Sequence, residues 1–425
     1  MPFQDQLVLF IYTHRSPFGN VPEFVENELP YWRNFTHVYV ISLAEGKGQH
    51  AVLSPNCTAI SICPIRNTFD RIRYVLGGLR HLNLFAEMVR ISSSPKHFFH
   101  RLISLLIESQ AISRYLSGSC SLIKSNSLTN THIVFYSYWL GAATEAALQC
   151  RTKRPANSLV ITRAHGSDVY ENKIDGSYLP NRARIIRRVD HIFPISEDGA
   201  SFLKSYYKCP AKKVTCSPLG TAFQGPYQPI KRESRFHIVS IAYATSVKQL
   251  GLIRDALAQI EHHSILWTHI GGGPTLKGIA ESTQDWPTKR PNITVNLLGS
   301  IPSTEVISTL KSIKPNLLIN TSKSEGIPVS MMEAASLGIP LLGPPVGGVP
   351  EIILDGFNGT LLRNGFCAKD IANSIVRFIV MPDEEYDIKC RNSYSKWHDQ
   401  FNIHTNYNAF RSLVESVAAR RFTKG

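Results

Sequence analysis

Short apolar runs alternate along the chain with amphipathic or polar stretches, the pattern of strands that alternate with helices. Residues 7–12 and 38–42 read as buried strands, with a loop at 14–20 and a helix at 23–32 between them. Further strands are expected at 133–136, 159–162 and 191–195, each followed by a polar loop or a helix cap. This order favours a parallel sheet covered by helices on both faces.

A second series of the same kind follows a linker. Residues 220–233 are rich in Gly, Pro, Gln and Thr and show no helical or strand period. Beyond them, strands are expected at 236–242, 265–270, 295–298, 316–320 and 340–342, with helices at 251–260 and 304–311 among them. We therefore expect an α/β fold with two doubly wound, Rossmann-like domains, divided near residue 225. Two such domains facing across a cleft would bind their ligand between them.

Composition limits the class of protein. With 425 residues, 43% of them hydrophobic and 18% charged, the chain suits a globular protein of two or three domains. Its first apolar run is too short to span a membrane and lacks the basic flank of a signal peptide. The eight cysteines show neither Cys-x-x-Cys nor zinc spacing, so we expect reduced thiols in a cytoplasmic protein.

The formal net charge of +14 favours contact with polyanions. Between Arg66 and Arg154 there are twelve Lys or Arg residues against four acids. Within this segment, five arginines alternate with apolar residues as in an amphipathic helix: Arg66, Arg71, Arg73, Arg80 and Arg90. A solvated helical face and docking to an anionic membrane or acidic acceptor both remain open. Nucleic acid is disfavoured, because no helix-turn-helix, zinc finger or RNA-binding signature is present.

The most informative segment, 324–334, reads Ser-Glu-Gly-Ile-Pro-Val-Ser-Met-Met-Glu-Ala and follows a predicted strand. Pro328 suits the first turn of a helix, and Gly326 allows a ligand close to the backbone. The free amides of that turn would bind phosphate or sugar oxygens. Glu325 would precede the helix and Glu333 lie inside it, so the two carboxylates could bind a sugar and a ribose. By themselves they could equally be a capping and a solvated glutamate.

Together with residues 335–340 and the run Val-Gly-Gly-Val-Pro-Glu-Ile at 346–352, this segment resembles the donor-binding signature of family 4 of the retaining glycosyltransferases. The resemblance implies the glycosyltransferase-B fold and a nucleotide-sugar donor. It implies that Glu333 binds the ribose of the nucleotide and that Glu325 faces the donor sugar. The backbone at Gly326 and Ile327 would contact the sugar hydroxyls, with Pro328 in the same donor-binding turn.

The resemblance extends over nearly the whole chain. The opening Tyr-Thr-His-Arg-Ser-Pro-Phe-Gly-Asn at 12–20 looks like the N-terminal strand and glycine loop of members that build bacterial surface polysaccharides, with Gly19 on the acceptor side. Residues 136–139 and the C-terminal segment 401–410 look like the same subgroup. The implied domains are an acceptor-side domain at 1–225, a donor domain at 226–398, and a last helix at 399–425 that crosses back.

His165 lies in the run Arg-Ala-His-Gly-Ser-Asp-Val-Tyr after the strand predicted at 159–162. Site residues of open sheets collect at the carboxyl ends of strands. His165 also matches the family histidine that lies beside the donor sugar, so it is a catalytic candidate. For Asp168, a helix N-cap and a site residue are both open.

Two loops of the second domain are candidates for binding the diphosphate. Lys248 matches a family lysine, but Ala242 and Tyr243 stand where many members have Gly-Arg. Another cation or backbone amides would have to replace that arginine. Gly272 belongs to a glycine run after the strand at 265–270, which could cradle phosphate or stack beneath a base, or simply form a tight loop.

The sequence contains neither Asp-x-Asp nor a phosphate-binding loop of the Gly-x-x-x-x-Gly-Lys-Ser/Thr type. We therefore expect no metal and no cofactor, with Lys248 and helix dipoles stabilising the leaving group. The expected activity is retaining hexosyl transfer from a nucleotide sugar to a glycan or lipid-linked glycan, such as a lipopolysaccharide precursor. It would take place in the cytoplasm or at the inner face of the cell membrane. The alternatives are a sugar-nucleotide epimerase of the same fold and an inactive partner in polysaccharide assembly.

Overall fold

The structure, a computed structural model, describes residues 7–18, 24–44, 53–62, 65, 67–154, 156–171 and 178–423. The chain divides into two compact units. The first contains residues 1–217 together with 407–425, and the second contains residues 218–406. In each unit the described residues form one six-stranded sheet whose strands are all parallel.

The first sheet has the strand order β3-β2-β1-β4-β5-β6. Its strands are β1 (Leu7–Thr13), β2 (His37–Ser42), β3 (Cys57–Ser61), β4 (His132–Ser137), β5 (Ser158–Ala164) and β6 (His191–Pro194). The helices of this part of the chain are α1 (Thr68–Leu79), α2 (Leu84–Ser92), α3 (Phe98–Ser125), α4 (Ala142–Thr152), α5 (Gly166–Val169), α6 (Arg182–Arg188) and α7 (Glu197–Ser205). Short 3-10 helices lie at Phe24–Asn27, Leu29–Tyr31, Pro95–His97, Leu128–Asn130 and Ala211–Lys213.

The second sheet has the order β12-β11-β10-β7-β8-β9. Its strands are β7 (Phe236–Ile241), β8 (Ile265–Ile270), β9 (Ile293–Gly299), β10 (Leu317–Ile319), β11 (Leu341–Gly343) and β12 (Gly359–Leu361). The helices that follow in the chain are α8 (Leu250–Leu257), α9 (Leu276–Thr283), α10 (Trp286–Lys289), α11 (Val306–Ile313), α12 (Val329–Ser336), α13 (Val349–Ile352), α14 (Ala368–Val380), α15 (Asp383–Gln400) and α16 (Ile403–Phe422), with a 3-10 turn at Ser303–Glu305.

Both faces of the first sheet are buried, which explains why its strands are almost continuously apolar. Successive residues of β1 point to opposite faces, so Phe10 joins one core cluster and Leu9 the other. The first cluster contains Ile112 and Tyr115 of α3. The second cluster contains Phe410, Val414 and Ala418 of α16, so the last helix completes the core of the first unit.

A buried ion pair lies inside the first unit. Arg163 of β5 and Glu28 are both fully buried, and Nε of Arg163 lies 2.6 Å from a carboxylate oxygen of Glu28. Tyr136 donates its hydroxyl proton to the other Glu28 oxygen at 2.8 Å, and Arg163 also donates to the carbonyl of Ser217 at 2.7 Å. The guanidinium lies 3.9 Å from the ring centroid of Phe410. This network joins five segments that are far apart in sequence.

The prediction of two doubly wound α/β domains is confirmed, and the strands expected from the sequence are present within two residues of their predicted bounds. The helix predicted at 23–32 is wrong, because the described part of it forms two 3-10 turns. Pro30 disfavours the α conformation in the residue before it and supplies no amide hydrogen to a longer helix. The sequence analysis also missed β3, β12 and the 28-residue helix α3.

We expect Arg163→Met to destabilise the first unit by about 3–5 kcal/mol, because it leaves the buried Glu28 carboxylate without its partner. Adding Glu28→Gln should recover part of that loss. Equilibrium denaturation in urea measures both, with Arg187→Met as the matched control at an exposed arginine on α6. Equal midpoints for Arg163→Met and Arg187→Met would contradict the role assigned to the pair.

Candidate active site

The predicted phosphate-binding lysine and sugar-facing glutamate come together in the second unit. Strands β7 and β10 are neighbours at the centre of its sheet, where the strand order reverses direction. Open α/β sheets bind ligands beyond the carboxyl ends of the strands at this switch point. Lys248 follows β7 and Glu325 follows β10, and Nζ of Lys248 lies 2.6 Å from Oε1 of Glu325.

Hydrogen bonds hold the loops after β7 and β10 together. Asn320 donates its side-chain amide to Oε1 of Glu325 at 3.0 Å and accepts the amide of Ser322 at 2.8 Å. Thr321 donates its hydroxyl to the carbonyl of Lys248 at 2.9 Å. Glu325 is therefore fixed by an amide and an ammonium. Sequence reasoning missed Asn320, although the polar run Asn-Thr-Ser directly after the apolar strand was a usable signal.

Gly326, Ile327 and Pro328 form the predicted turn before α12. The amide of Gly348 donates to the carbonyl of Gly326 at 2.6 Å. A Cβ at Gly347, whose φ is +54°, would lie 1.9 Å from the carbonyl oxygen of Glu325, so the two loops meet backbone to backbone. Pro328 caps α12 one position before its first residue, and its carbonyl accepts the amide of Met331 at 3.1 Å. The amides of Val329 and Ser330, the first two residues of α12, precede these bonds and have no acceptor within the helix.

Glu333 is the fifth residue of α12, as the sequence predicted. Burial raises the pKa of its carboxyl group to about 8, and no charged partner opposes that shift. Such a carboxyl retains its capacity to bind a ligand that supplies hydroxyl donors.

Gly272 has a structural role in the second unit. Its carbonyl accepts the amide of Ala244 at 2.7 Å, and a Cβ at Gly272 would lie 2.4 Å from the hydroxyl oxygen of Ser300. A Cβ at Gly271 would lie 1.9 Å from the carbonyl oxygen of Ala242. The glycine run therefore lets the loops after β7, β8 and β9 approach one another, while its contact with a phosphate or base stays a prediction. Tyr243, where many family members have arginine, is 65% exposed.

In the first unit, His165 lies directly after β5 and caps α5. Its ring is 8% exposed and packs against Tyr138 and Trp139, with centroid distances of 4.7 and 4.3 Å. Both aromatic residues follow β4, the neighbour of β5. Among the described residues, no group forms a hydrogen bond with either ring nitrogen of His165 or with the indole nitrogen of Trp139. These unsatisfied groups lie at the carboxyl edge of the first sheet.

Asp168 does not occupy the N-cap position, which belongs to His165. It is the third residue of α5, and its carboxylate accepts the amides of His165 and of Leu140, the latter at 2.8 Å. Its second oxygen lies 3.6 Å from Nδ1 of His165. Asp168 therefore fixes the loops that carry His165 and Trp139. The predicted acceptor-side residue Gly19 lies outside the described residues.

Two features are absent from the described part of the chain. No group of three or more His, Cys, Asp or Glu side chains is arranged to hold a metal ion there. No helix in the same part of the chain combines the length and apolar character required to cross a membrane.

Comparison with known protein families gives a match over residues 227–396 to the model described as glycosyl transferases group 1. The chain is similar to the putative colanic acid biosynthesis glycosyltransferase WcaL of Escherichia coli strain K12, with 25% identity over 312 residues, or 71% of this chain and 74% of the relative. It is also similar to the amylovoran biosynthesis glycosyltransferase AmsK of Erwinia amylovora, with 24% identity over 290 residues, or 65% of this chain and 69% of the relative.

Solved structures share the fold. Anabaena Alr3699/HepE in complex with UDP has a TM-score of 0.64 at 14% identity, covering 96% of this chain and 99% of that one. The apo form of the lipopolysaccharide outer core galactosyltransferase WaaB has a TM-score of 0.67 at 14% identity, with coverage of 96% and 99%. The predicted glycosyltransferase-B fold is thereby confirmed.

We expect Glu333→Gln to change how stability depends on pH. A carboxyl whose pKa is raised to about 8 in the folded protein holds its proton more tightly there than in the unfolded chain. Stability therefore falls as the pH rises from the ordinary glutamate value toward 8. The melting temperature of Glu333→Gln minus that of the wild type should increase between about pH 6 and pH 9. Parallel curves, as expected for the exposed control Glu305→Gln, would contradict this.

Proposed function

We propose that this chain, whose residues 227–396 match the model of the group 1 glycosyl transferases, moves a sugar from a nucleotide-sugar donor to a glycan with retention of configuration. The observation that carries the proposal is the contact of Lys248 with Glu325 at the switch point of the second sheet, beside the start of α12. A cation and a helix N-terminus at one sheet edge suit a diphosphate, and the carboxylate suits sugar hydroxyls.

We assign the donor contacts to the second unit. Lys248 and the first turn of α12 would bind the diphosphate, while Glu325, Gly326 and Ile327 would bind the sugar. Glu333, further along α12, would accept hydrogen bonds from the ribose hydroxyls, a role for which its carboxyl must ionise. Gly272 would lie beneath the nucleotide. The complex of HepE with UDP supports a uridine nucleotide as the first donor to test.

Donor binding would change the partner of Lys248. Glu325 pairs with its ammonium group at 2.6 Å. A diphosphate carries more negative charge than one carboxylate, so the ammonium would turn toward it. Asn320, which already donates to Glu325 at 3.0 Å, would hold the carboxylate in place for the sugar. The ion pair would thus keep both groups oriented before the donor arrives.

The bond between the anomeric carbon and the diphosphate oxygen breaks through an oxocarbenium-like state, and the acceptor oxygen bonds to the same carbon on the same face. The proton of the acceptor hydroxyl passes to the departing phosphate oxygen, so no protein nucleophile takes part. Charge grows on the leaving diphosphate, and Lys248 with the dipole of α12 would stabilise it. A metal ion has no part in this scheme.

The acceptor proposed is a lipid-linked glycan of a surface polysaccharide. WcaL and AmsK are named for the biosynthesis of colanic acid and amylovoran, which supports a growing exopolysaccharide as the substrate class. Within the first unit, Tyr138, Trp139 and His165 form an aromatic cluster. Its rings suit the apolar faces of a sugar, and the nitrogens of Trp139 and His165, which lack hydrogen-bond partners among the described residues, suit its hydroxyls.

The experiment supplies radiolabelled UDP-, GDP-, ADP- and CMP-sugars to the purified chain with a bacterial glycolipid extract and excess EDTA. We expect one donor to transfer its sugar to the lipid fraction and to release its nucleotide only when the extract is present. Conversion of the donor without acceptor would indicate an epimerase. Donor binding without turnover would indicate an inactive assembly partner. Loss of transfer in EDTA that Mg²⁺ or Mn²⁺ restores would contradict the metal-free scheme.

His165→Ala should lower turnover far more than donor affinity. All the donor contacts proposed above belong to the second unit, whereas His165 belongs to the first. Loss of one preorganised contact to the transition state costs about 10²–10³ in rate, and kcat and kcat/KM should fall together. Steady-state kinetics and calorimetric titration of the nucleotide separate the two effects.

The matched control is His37→Ala, at a histidine that opens β2 and contacts the Thr58 hydroxyl at 2.9 Å. It should leave turnover unchanged. If His165→Ala melts earlier than the wild type yet keeps normal specific activity, His165 is structural and its catalytic assignment is wrong.

A further inference from the structure

Helix α3 is much longer than the strands it covers. Its 28 residues span about 42 Å, whereas a seven-residue strand spans about 23 Å. Tyr115 donates its hydroxyl to the carbonyl of Thr13, the last residue of β1, at 2.6 Å. Arg114 donates to the carbonyl of Leu43, just past β2, at 2.8 Å. The middle of α3 is therefore level with the carboxyl edge of the first sheet.

The N-terminal half of α3 extends past that edge. The helix leads through Ser125 into the start of β4, so its C-terminal half runs back toward the amino ends of the strands. Residues 98–114, about 25 Å of helix, lie on the other side of Tyr115. Glu108 fits this direction, because a Cβ at Gly141, shortly after the end of β4, would lie 3.2 Å from its carboxylate.

Three helices of this region carry apolar side chains on their exposed faces. On α3 they recur every four residues, and on α1 every three or four, so each set forms one stripe. Phe69 is 72% exposed, Phe85 83% and Phe99 76%. We call nine of these residues the apolar surface: Phe69, Ile72 and Leu76 of α1, Phe85, Met88 and Val89 of α2, and Phe99, Ile103 and Ile107 of α3.

The packing of α1 on α3 uses a different face of α1 from the one that carries Phe69, Ile72 and Leu76. The two helices meet through Gly77 and Gly78, where a Cβ at Gly78 would lie 1.8 Å from the carbonyl oxygen of Ser109. Ser109 also donates its hydroxyl to the carbonyl of Val75 at 2.5 Å. The small residues of α1 therefore face α3. Nine large exposed apolar residues on three adjoining helices exceed the scattered ones that a soluble surface carries.

Cations accompany the apolar surface. Residues 67–107 contain six Lys or Arg and two acids. Arg73 and Arg80 lie four residues after Phe69 and Leu76, so they continue the stripe of α1, and both are exposed. Arg90, by contrast, binds Glu87 and Glu171 inside the unit. The single basic helix expected from Arg66 to Arg90 is in fact two helices, α1 and α2. Arg90, on α2, does not belong to the exposed face that carries the apolar side chains.

Apolar stripes flanked by cations fit the surface of an anionic bilayer, which accepts phenylalanine among its acyl chains and cations at its headgroups. A second copy of the chain fits less well, because a symmetric contact would bring the same arginines face to face. Charge complementarity therefore selects the membrane.

We propose that the apolar surface inserts into the interface of an anionic membrane and anchors the first unit there, with the carboxyl edge of the first sheet on the membrane side. The overhang of α3 places Phe99, Ile103 and Ile107 on the side where Trp139 and His165 lie. A glycan that projects from a lipid in the same membrane would then meet that edge directly. The lipid-linked acceptor rests on the proposed function, whereas the membrane binding does not.

The test is co-sedimentation with vesicles of phosphatidylglycerol and phosphatidylcholine, compared with vesicles of phosphatidylcholine alone. The wild type should bind the anionic vesicles, and Phe69→Ser/Phe85→Ser/Phe99→Ser should weaken that binding on the order of tenfold or more. Arg71→Gln/Arg73→Gln/Arg80→Gln should weaken it at low salt. The matched control, Val380→Ser/Ile388→Ser, removes exposed apolar side chains of α14 and α15 and should bind like the wild type.

Three results would overturn the proposal. The first is a wild type that does not bind anionic vesicles. The second is a phenylalanine variant that binds these vesicles as tightly as the wild type does. The third is a phenylalanine variant that keeps membrane binding but loses a self-association that light scattering detects in the wild type. The substituted side chains are exposed, so melting curves should match the wild type. Turnover on a detergent-dispersed acceptor separates the two proposals, because the phenylalanine variant should retain it. Failure of transfer by the wild type would reject the proposed function and leave vesicle binding unaffected.

Discussion

The fully buried guanidinium group of Arg163 organises the first unit. Because an unpaired buried charge is so costly, Arg163 requires Glu28, the carbonyl of Ser217 and the face of Phe410 to stay where they are. Arg163 lies on β5, two residues before His165, which follows the end of that strand. The requirement to neutralise one charge thus fixes the strand that leads into the proposed catalytic histidine, and a site residue next to a rigid strand is better positioned than one on a free loop.

The second unit uses charge differently. Lys248 and Glu325 form their ion pair where the sheet reverses its strand order, with the side chains partly open to solvent. A pair of that kind contributes little to stability, so it can be exchanged for a ligand at small cost. Glu333 likewise contributes little to stability, because burial raises the pKa of its carboxyl group to about 8 and the protein is destabilised when that group ionises. A ligand that supplies hydrogen bonds would remove this penalty.

The sequence predicted the two sheets well because parallel strands buried on both faces read as continuous apolar runs, as in residues 7–12. It also placed Lys248, Glu325 and Glu333 on the elements where they lie, because glycine and proline mark the ends of those elements. It failed where the pattern is weak. The edge strand β3 is partly exposed and short, and the nearly uniform polarity of α3 hides its period. The ion pair of Lys248 with Glu325 joins two loops that are far apart in sequence, and no local pattern encodes such a tertiary contact.

The last helix makes the first unit discontinuous in sequence, with consequences for synthesis on the ribosome. Trp32, Tyr136 and Phe193 pack against Phe410, yet that phenylalanine is translated after the whole of the second unit. At ordinary elongation rates the intervening 189 residues, 218–406, take on the order of 10–40 s to make. During that interval the nascent first unit exposes an aromatic face that favours misassembly, and its core can close only after α16 has left the exit tunnel.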